Sequence, residues 1–345
     1  MTSLPAPLRV AVVGGGNGIP NVLRGLADES RAGRRLEITA IVATADDGGS
    51  SGRIRRERGG VPPGDLRNCL LALGDAANEP WGALFAHRYE GAGALAGHSL
   101  GNLMLMALAE RNGSWVHAVA EAGRYLGARG CVLPATPVGL ALEGVTVDGE
   151  RISGESRIGA APSAIRRVWF DPPDPAPSEG VLEALAHADL IVLGPGSLFT
   201  SLLPVLLIRG VADAVRQSRG LRVLVGNLMT QPGETIGMSL AEHLESLEAH
   251  AGPGLLDVIL LNAAPIDDAR IRPYRDQGAE LVSREGLAAR REASISVPLV
   301  NDSGKVRHDP ARLAGALLRL SAAPRRTGVR VSSATVSPRG GTAVP

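Results

Sequence analysis

The residues of this sequence best suited to chemistry lie in short glycine-rich segments, each placed after an apolar run. The first segment, Gly14–Gly18, reads GGGNG and precedes a helical pattern. Glycines let the backbone approach a phosphate, and a helix start offers free amides and the positive end of the helix dipole. No Gly-Lys-Ser/Thr follows, and Asn21 stands where the dinucleotide fingerprint needs glycine. Phosphate binding and a tight turn without a ligand both stay open. The candidate residues are Gly15, Gly16, Asn17 and Gly18.

The second segment, 45–52, reads ADDGGSSG and places two acids beside five small residues. Asp46 and Asp47 could hold Mg²⁺ or accept hydrogen bonds from ribose or sugar hydroxyls. The glycines, Ser50 and Ser51 offer amide and hydroxyl donors, which suit phosphate oxygens. A solvent-exposed turn is the alternative, because Asp, Gly and Ser all favour turns. Two acids at a strand end favour a function, and they are the only convincing acid–base or metal candidates in the chain.

Two further segments precede apolar helical patterns and carry weaker signals. In VPPGDLRN, Asp65 fits a helix N-cap, and Arg67 and Asn68 could face a ligand from the first helical turn. In GHSLGN, His98 and Asn102 are one helical turn apart and could reach one bound group. Since a lone histidine in such a place is more often structural, neither segment alone indicates binding.

The second half of the chain repeats the order of apolar run, polar turn and helix start. The segment GPGSLFTS places hydroxyls where they either cap a helix or bind an oxyanion, because both use the same geometry. Its candidate residues are Gly194, Gly196, Ser197 and Thr200. The segment NLMTQPGET is too polar for a simple connector. There, Asn227 and Thr230 could orient a ligand, and Glu234 is expected to cap the next helix.

The composition argues against several classes of protein. With a formal net charge of +1 and 3% aromatic residues, neither a basic surface nor broad base stacking supports nucleic-acid binding. Cys69 and Cys131 lack metal or redox spacing, which fits a reducing compartment. No signal peptide is visible, and no apolar run approaches the ~18 residues of a membrane span. We therefore expect a cytoplasmic protein. No nucleophile triad or zinc-ligand spacing is readable, so catalysis is not established.

The polar segments must be positioned by the elements between them. Apolar runs with the length of buried parallel strands alternate with helical patterns, which predicts a Rossmann-like, doubly wound, mostly parallel α/β sheet. In such sheets ligands bind beyond the carboxyl ends of the strands, where the polar segments lie. The predicted strands are 8–13, 37–44, 188–193, 221–226 and 256–261, and the clearest helices are 19–29, 201–218 and 238–250.

The chain is divided into a folded unit and two tails. Residues 1–8 are a short lead-in, 9–322 form one α/β domain, and 323–345 are expected to be disordered because they have few apolar anchors. Within the domain, 131–171 has short alternating stretches around an Asp148-Gly149 turn. This part is interpreted as a small β-rich insertion or an extension of the sheet.

Taken in order, the motifs resemble one family over about residues 9–315. VVGGGNG, VATADDGGSSGR, VPPGDLRNCLLALGD, GHSLGNLMLMAL, GPGSLFTS and NLMTQPGET are similar to the gluconeogenesis factor family (YvcK-type, UPF0052). That family lies in the 2-phospho-L-lactate transferase (CofD-like) superfamily, and the bacterial gluconeogenesis-factor branch is similar in more motifs. The resemblance implies a Rossmann-like fold, a cytoplasmic location, and a part in cell shape and in growth on gluconeogenic carbon sources.

The resemblance also implies ligand contacts. Some members bind UDP-N-acetylglucosamine, so the loops 15–18 and 46–51 would serve the phosphates and the attached group. Tyr274 and Arg307 resemble the family's nucleotide contacts, in which a ring faces a base and a guanidinium a phosphate. Two departures from the family stand out. Asn17 replaces a usual Thr but keeps a donor, and Val205 replaces a usual Asn, which puts a ligand contact there in doubt.

Two functions follow as hypotheses from the residues and the resemblance together. The first is a sugar-nucleotide-binding regulatory protein with a ligand resembling UDP-N-acetylglucosamine. The alternative is an enzyme, a Mg²⁺-dependent phospholactyl-type transferase of deazaflavin coenzyme biosynthesis, with the metal on Asp46 and Asp47. An NAD-dependent oxidoreductase is disfavoured by the imperfect fingerprint. Nucleic acid is not an expected partner, and assembly into a homo-oligomer is left open.

Overall fold

The computed structural model describes residues 6–75 and 79–323. Ten strands and thirteen α-helices are assigned within these ranges. The strands are β1 Leu8–Gly14, β2 Leu36–Val42, β3 Cys131–Pro134, β4 Ala141–Thr146, β5 Arg151–Ser153, β6 Ile165–Asp171, β7 Leu190–Leu193, β8 Leu221–Val225, β9 Val258–Asn262 and β10 Ala293–Val297. The predicted tail and the first five residues of the lead-in lie outside the described part, apart from Ala323.

The α-helices alternate with the strands along most of the chain. They are α1 Ile19–Arg31, α2 Gly49–Arg58, α3 Gly64–Leu73, α4 Glu79–Ala86, α5 Leu100–Asn112, α6 Trp115–Tyr125, α7 Glu155–Ile158, α8 Val181–His187, α9 Leu203–Leu206, α10 Val211–Gln217, α11 Leu240–Ala251, α12 Asp268–Arg275 and α13 Pro310–Ala322. A π-helical turn covers Leu198–Leu202, and a 3₁₀ turn covers Leu287–Ala289.

Seven strands form one parallel sheet in the order β10-β9-β8-β7-β1-β2-β3. Strand β1 is paired with β2 on one side, in register from Leu8 opposite Leu36, and with β7 on the other. The connections therefore run in opposite directions from β1 and β7, which makes the crevice between these two strands the topological switch point. Ligands of doubly wound sheets bind at such a point, beyond the carboxyl ends of the strands.

Alternate residues of the central strands pack into two cores, one on each face of the sheet. Ala11 and Val13 of β1 face a core that includes helices α8 to α11, while Val10 and Val12 face a core that includes α1, α3 and α13. The strands are buried on both faces, which explains why they read as continuous apolar runs. The predicted doubly wound α/β architecture is confirmed.

The β-rich segment is divided between two sheets. Strand β3 forms the edge of the large sheet, while β4, β5 and β6 form a separate antiparallel sheet in the order β5-β4-β6. Leu142 and Phe170 of this small sheet pack into the core shared with α8 to α11. The insertion proper therefore begins at Ala141 rather than at 131, because Cys131–Pro134 pairs in parallel with β2.

Two elements differ from the sequence prediction. The single helix expected over 201–218 is wrong, because the chain turns after Leu206 and restarts at Val211, with Gly210 in the left-handed region at φ 77°. Strand β10, which reads only ASISV, was not predicted. Within residues 6–75 and 79–323, no single helix is long and apolar enough to span a membrane. One pair bent by 76°, Leu198–Leu206 with Val211–Gln217, reaches that length and composition only together.

Candidate functional site

A cleft of about 540 Å³ opens at the switch point, where the loops after β1, β2, β7 and β8 meet. Its volume is in the range of small-molecule sites. Twelve of the residues named from the sequence line it: Gly16, Asn17, Gly18, Asp46, Asp65, Gly196, Ser197, Thr200, Asn227, Thr230, Tyr274 and Arg307. Lining residues that the sequence did not single out as ligand contacts include Asn21, Glu155, Ser201, Met229, Gln231, Gln277, Val306 and His308. Segments distant in sequence therefore gather at one rim of the sheet.

The glycine loops after β1 and β7 interlock. A Cβ atom added to Gly18 would lie 1.9 Å from the carbonyl oxygen of Pro195 and 2.8 Å from Cα of Gly196. Gly15 lies behind the cleft, where an added Cβ would be 2.8 Å from a carboxylate oxygen of Asp65. Gly194 also lies outside the lining, with φ 68° at the end of β7. Glycine is therefore needed for close backbone approach at Gly18, while Gly15 and Gly194 support the loops from behind.

Asp65 is a cleft residue rather than a helix cap. Helix α3 has Pro63 at its N-cap position and no side-chain cap, so the N-cap prediction is wrong. The Asp65 carboxylate instead accepts a hydrogen bond of 2.5 Å from the amide of Gly16. Loss of hydration and the nearby carboxylate of Asp46 raise the pKa of Asp65 to about 6, although the Gly16 amide opposes the shift. One amide of the first glycine loop thus donates its hydrogen bond to a carboxylate of the protein itself.

The two aspartates of the second loop do not act together. Asp46 lines the cleft and accepts a hydrogen bond of 2.9 Å from the amide of Gly48. Asp47 does not line it, since its Oδ1 accepts a hydrogen bond of 2.9 Å from the amide of Ser156 in the small-sheet segment. Among the described residues, no group of three or more His, Cys, Asp or Glu side chains is arranged to hold a metal ion. Of the two aspartates, only Asp46 therefore faces the cleft in this structure.

Glu155, which the sequence did not indicate, enters the cleft from the small-sheet segment. Burial and the carboxylates of Asp46, Glu234, Asp47 and Asp65 raise its pKa from 4.5 to about 8. Nothing in the local sequence SGESR marks this residue, because its placement depends on how the insertion packs against distant loops. Asp46, Asp65 and Glu155 together make one end of the cleft acidic.

Replacing Glu155 by Gln is expected to stabilise the protein at alkaline pH. Because the folded-state pKa is about 8 and the ordinary value 4.5, the folded protein holds this proton more tightly than the unfolded chain does. That contribution is complete below the ordinary value and is lost as the pH rises towards the folded-state pKa. Gln stays neutral throughout, so the variant should gain on the order of 3 kcal/mol over the wild type between about pH 5 and about pH 9. Urea unfolding at the two pH values checks this, and an identical pH dependence would contradict it.

Five of the predicted contacts form a polar network behind the cleft instead of lining it. Ser50 Oγ accepts from the Asn102 amide at 3.1 Å and lies 3.1 Å from Nδ1 of His98. Arg67 donates to Asn102 at 3.1 Å and to Asn68 at 2.8 Å. These residues join the starts of α2, α3 and α5, and so hold the second loop in place. The five side chains are therefore linked by hydrogen bonds within the network and do not line the cleft. They are Ser50, Arg67, Asn68, His98 and Asn102.

Ser51 also has a structural partner, since its Oγ accepts a hydrogen bond of 3.1 Å from the amide of Gly64 at the start of α3. The second loop is thereby tied to α3, the helix that carries Asp65. Val205, which departs from the family pattern, is fully buried in the core with no exposed surface. Val205 is not among the residues that line the cleft.

Glu234 accepts hydrogen bonds from the π-helical turn Leu198–Leu202 and does not cap the helix that follows it in the chain. Its carboxylate accepts hydrogen bonds from the amides of Phe199 at 3.1 Å and Thr200 at 3.3 Å, and from the Thr200 hydroxyl at 2.8 Å. Helix α11 is instead capped by Ser239 and Glu242 in a capping box. The prediction that Glu234 caps the next helix is wrong. Because these amides already donate to Glu234, they are not available to a ligand phosphate.

Side-chain hydrogen bonds join the loop after β7 to the loop after β8 and shape this wall of the cleft. The Asn227 side chain accepts from the Gly196 amide at 3.1 Å and donates to the Gly196 carbonyl at 2.8 Å. Gln231 donates to Ser197 Oγ at 2.7 Å. Thr230 is buried, and its Oγ1 accepts from the amide of Glu280 at 2.8 Å. These bonds set the backbone of the wall, so Asn227 and Thr230 orient the loops as well as lining the cleft.

The remaining wall is apolar and carries one free cation at its rim. The Tyr274 hydroxyl accepts a hydrogen bond of 3.0 Å from the amide of Val306, which fixes the ring beside Met229. Arg307 is exposed, and no ion pair of its guanidinium is present within the described part. His308 is buried, and burial lowers its pKa to about 4, so the imidazole is neutral. This end of the cleft combines a ring, apolar side chains and a positive charge.

Known proteins are similar to this chain in sequence and in fold. The family model described as 2-phospho-L-lactate transferase CofD matches residues 10–301. The gluconeogenesis factor of Halalkalibacterium halodurans is 42% identical over 313 residues, covering 90% of this chain and 95% of the relative. The gluconeogenesis factor of Bacillus subtilis is 40% identical over 320 residues, covering 90% and 98%.

A solved structure extends the comparison to three dimensions. The crystal structure of a UPF0052 family protein from Bacillus halodurans superposes with a TM-score of 0.86 at 41% identity. The match covers 91% of this chain and 100% of that chain. The resemblance that the motifs indicated is therefore confirmed along most of the sequence. The chain belongs to the gluconeogenesis factor (UPF0052) family, within the superfamily of 2-phospho-L-lactate transferase CofD.

Proposed function

We propose that the protein binds a sugar nucleotide, with UDP-N-acetylglucosamine as the expected ligand, and acts as a cytoplasmic regulator. One observation carries this proposal: a single cleft is lined by an aromatic ring and a guanidinium, by the backbone of two glycine loops, and by a cluster of carboxyl groups. These three kinds of lining match a base, a diphosphate and a hydroxyl-bearing group. The cleft volume of about 540 Å³ fits a ligand of this size class.

The diphosphate is assigned to the start of α1. This helix has 13 residues, no acid in its first turn and no side-chain cap at Gly18, so the positive end of its dipole lies at the cleft. Within the helix, Pro20 has no N–H and the Asn21 amide donates to the Gly18 carbonyl. The amides of Gly16, Phe199 and Thr200 already donate to Asp65 and Glu234. Asn17 and Gly18 therefore offer the available backbone donors, and Arg307, which also lines the cleft, is the counter-charge.

The attached group is assigned to the acidic end. Carboxyl groups accept hydrogen bonds from sugar hydroxyls, whereas an anionic group would be repelled by the carboxylates of Asp46 and Asp65, and also by Glu155 above its pKa of about 8. This favours a sugar over the phospholactyl group of the alternative transferase, because that group carries a carboxylate of its own.

The cellular role rests on the family. The relatives in Halalkalibacterium halodurans and Bacillus subtilis are named gluconeogenesis factor. A sugar-nucleotide sensor would connect the supply of envelope precursors with carbon metabolism, which supports an effect on cell shape and on growth with gluconeogenic carbon sources. We assign the protein to this regulatory class.

Titration calorimetry with UDP-N-acetylglucosamine, in the presence and absence of Mg²⁺, tests the proposal. Saturable binding at one site, unchanged by the metal, is expected. Failure of UDP-N-acetylglucosamine, UDP and UDP-glucose to bind would overturn it. Formation of product from a deazaflavin acceptor and a nucleotide-diphospho-lactate donor would establish the transferase instead.

Tyr274→Ala is expected to weaken nucleotide binding by about tenfold to a hundredfold, because stacking of one base on an aromatic ring contributes roughly 1–3 kcal/mol. Tyr274→Phe is the matched control, since it keeps the ring and removes only the hydroxyl that accepts from Val306. The Phe variant should retain most of the affinity in calorimetry. Equal affinities of the Ala variant and the wild type would place the base elsewhere.

A further inference from the structure

We infer that the small antiparallel sheet selects the group attached to the diphosphate, with Glu155 as the contact and Asp47 as the residue that positions it. This inference rests on the proposed function, because it concerns the same cleft. It assigns a role to an acid that lines the cleft without a sequence signature, and to an aspartate that lies outside the cleft.

The first observation is the clamp between the second loop and the small-sheet segment. Asp47 Oδ1 accepts a hydrogen bond of 2.9 Å from the amide of Ser156, which is the residue after Glu155. Gly154, on the other side of Glu155, has φ 102°, and an added Cβ there would lie 2.4 Å from Asp47 Oδ2. Asp47 therefore contacts both chain neighbours of Glu155, and its fit against Gly154 requires glycine at that position.

The second observation is that the loop after β8 holds helix α7 from the opposite side. A Cβ atom added to Gly233 would lie 2.5 Å from the carbonyl oxygen of Gly159, which follows the helix directly. The Ile158 side chain is fully buried in the core beneath. Helix α7 is thus held between the loop after β2 and the loop after β8, and both of these loops also line the cleft.

The position of Glu155 follows from this double attachment. Its side chain joins Asp46 and Asp65 at the acidic end of the cleft, whereas the carboxylate of Asp47 is turned towards the Ser156 amide. Removing Asp47 would release the start of α7 and let Glu155 leave the cleft. Asp47 is therefore a positioning residue that acts through Glu155.

The chemistry of the three carboxyl groups defines what is selected. Asp46, Asp65 and Glu155 favour a neutral, hydroxyl-bearing substituent, because carboxyl groups accept from hydroxyls. Above about pH 8, where Glu155 is ionised as well, the three together disfavour a substituent that carries its own carboxylate. The protein should therefore bind UDP-glucose more tightly than UDP alone, and UDP-glucuronate less tightly than UDP-glucose. These three ligands share the base and the diphosphate, so their differences report the acidic end alone.

The experiment measures calorimetric dissociation constants of the three ligands for the full chain and its variants at pH 9, where Glu155, with its pKa of about 8, is ionised. Glu155→Gln and Asp47→Ala should each reduce the preference for UDP-glucose over UDP-glucuronate by about tenfold, the effect of losing one interaction of roughly 1.4 kcal/mol. Asp47→Asn keeps an oxygen acceptor for the Ser156 amide and should restore most of the preference. Asp148→Ala removes an exposed acid from the turn between β4 and β5, so it is the matched control and should match the wild type.

The two proposals fail in distinguishable ways. If no uridine nucleotide binds the wild type, the proposed function is wrong. If all three bind with one affinity, or if Asp47→Ala and Asp47→Asn keep the wild-type preference while Glu155→Gln loses it, the inferred role of Asp47 is overturned. Non-additive losses in the Asp47→Ala, Glu155→Gln double variant are expected, because both changes act on one contact. Strict additivity would count against the positioning role.

Discussion

Gly18→Ala is expected to abolish measurable sugar-nucleotide binding, with a loss of at least about a hundredfold in affinity. The added Cβ would lie 1.9 Å from the carbonyl oxygen of Pro195, so one of the two interlocked loops must move. Gly18 has φ −79°, a value open to any residue, so the effect comes from close approach and not from backbone strain. Because Gly18 is the N-cap residue of α1, the displacement also disturbs the amides assigned to the diphosphate. Calorimetry measures the loss.

A second glycine provides the matched control for this change. Gly82 lies in α4, where an added Cβ meets nothing within 4 Å. Gly82→Ala should therefore leave ligand affinity unchanged and leave stability equal or slightly higher, since Ala is the better helix former. Gly18→Ala should also cost about 2 kcal/mol of stability, as overpacking does. Wild-type affinity in the Gly18 variant would show that the loops tolerate separation and that the phosphates bind elsewhere.

The fold was largely predictable because its signals are local. Strands such as β1 and β9 are buried on both faces, so they appear in the sequence as continuous apolar runs between polar turns. Strand β10 gave no such signal, because its five residues are all partly exposed at the sheet edge. The break at Gly210 was missed because the apolar pattern continues across it. Its position depends on the left-handed turn that restarts the chain as α10.

The candidate site was predictable at the level of loops and less so at the level of side chains. Parallel strands bring the loops after β1, β2, β7 and β8 to one edge, so the segments that contain Gly16, Asp46, Ser197 and Asn227 had to meet there. Which side chains turn inward depends on packing between distant elements. His98 was expected in the cleft, yet it faces Ser50 at the start of α2.

Asp65 and Glu234 illustrate a property that the sequence could not show. Each carboxylate accepts from backbone amides of a glycine loop, Asp65 from Gly16 and Glu234 from Phe199 and Thr200. A glycine-rich turn at a helix start therefore need not be a ligand site, because the protein can supply the anion itself. Glu234 lies 34 and 35 residues from the amides that it serves, a distance that no local pattern reveals.

The same reasoning predicts a large stability effect at Glu234. Glu234→Ala is expected to lower the free energy of unfolding by about 4 kcal/mol, since each buried donor left without a partner costs roughly 1–3 kcal/mol. The change leaves two backbone amides and the Thr200 hydroxyl without their acceptor. Glu234→Gln keeps one carbonyl oxygen in place and should lose less. Urea denaturation of the two variants measures both costs.

Glu242→Ala is the matched control, because Glu242 is an exposed carboxylate that also accepts from a backbone amide, that of Ser239. Water replaces an exposed acceptor readily, so its removal should cost about 1 kcal/mol or less. The difference between the two sites thus reports burial and not the mere presence of a carboxylate–amide bond. If Glu234→Ala proved as mild as Glu242→Ala, the turn at Leu198–Leu202 would have found other acceptors. Its amides would then be open to a ligand phosphate, and the diphosphate would no longer be confined to the start of α1.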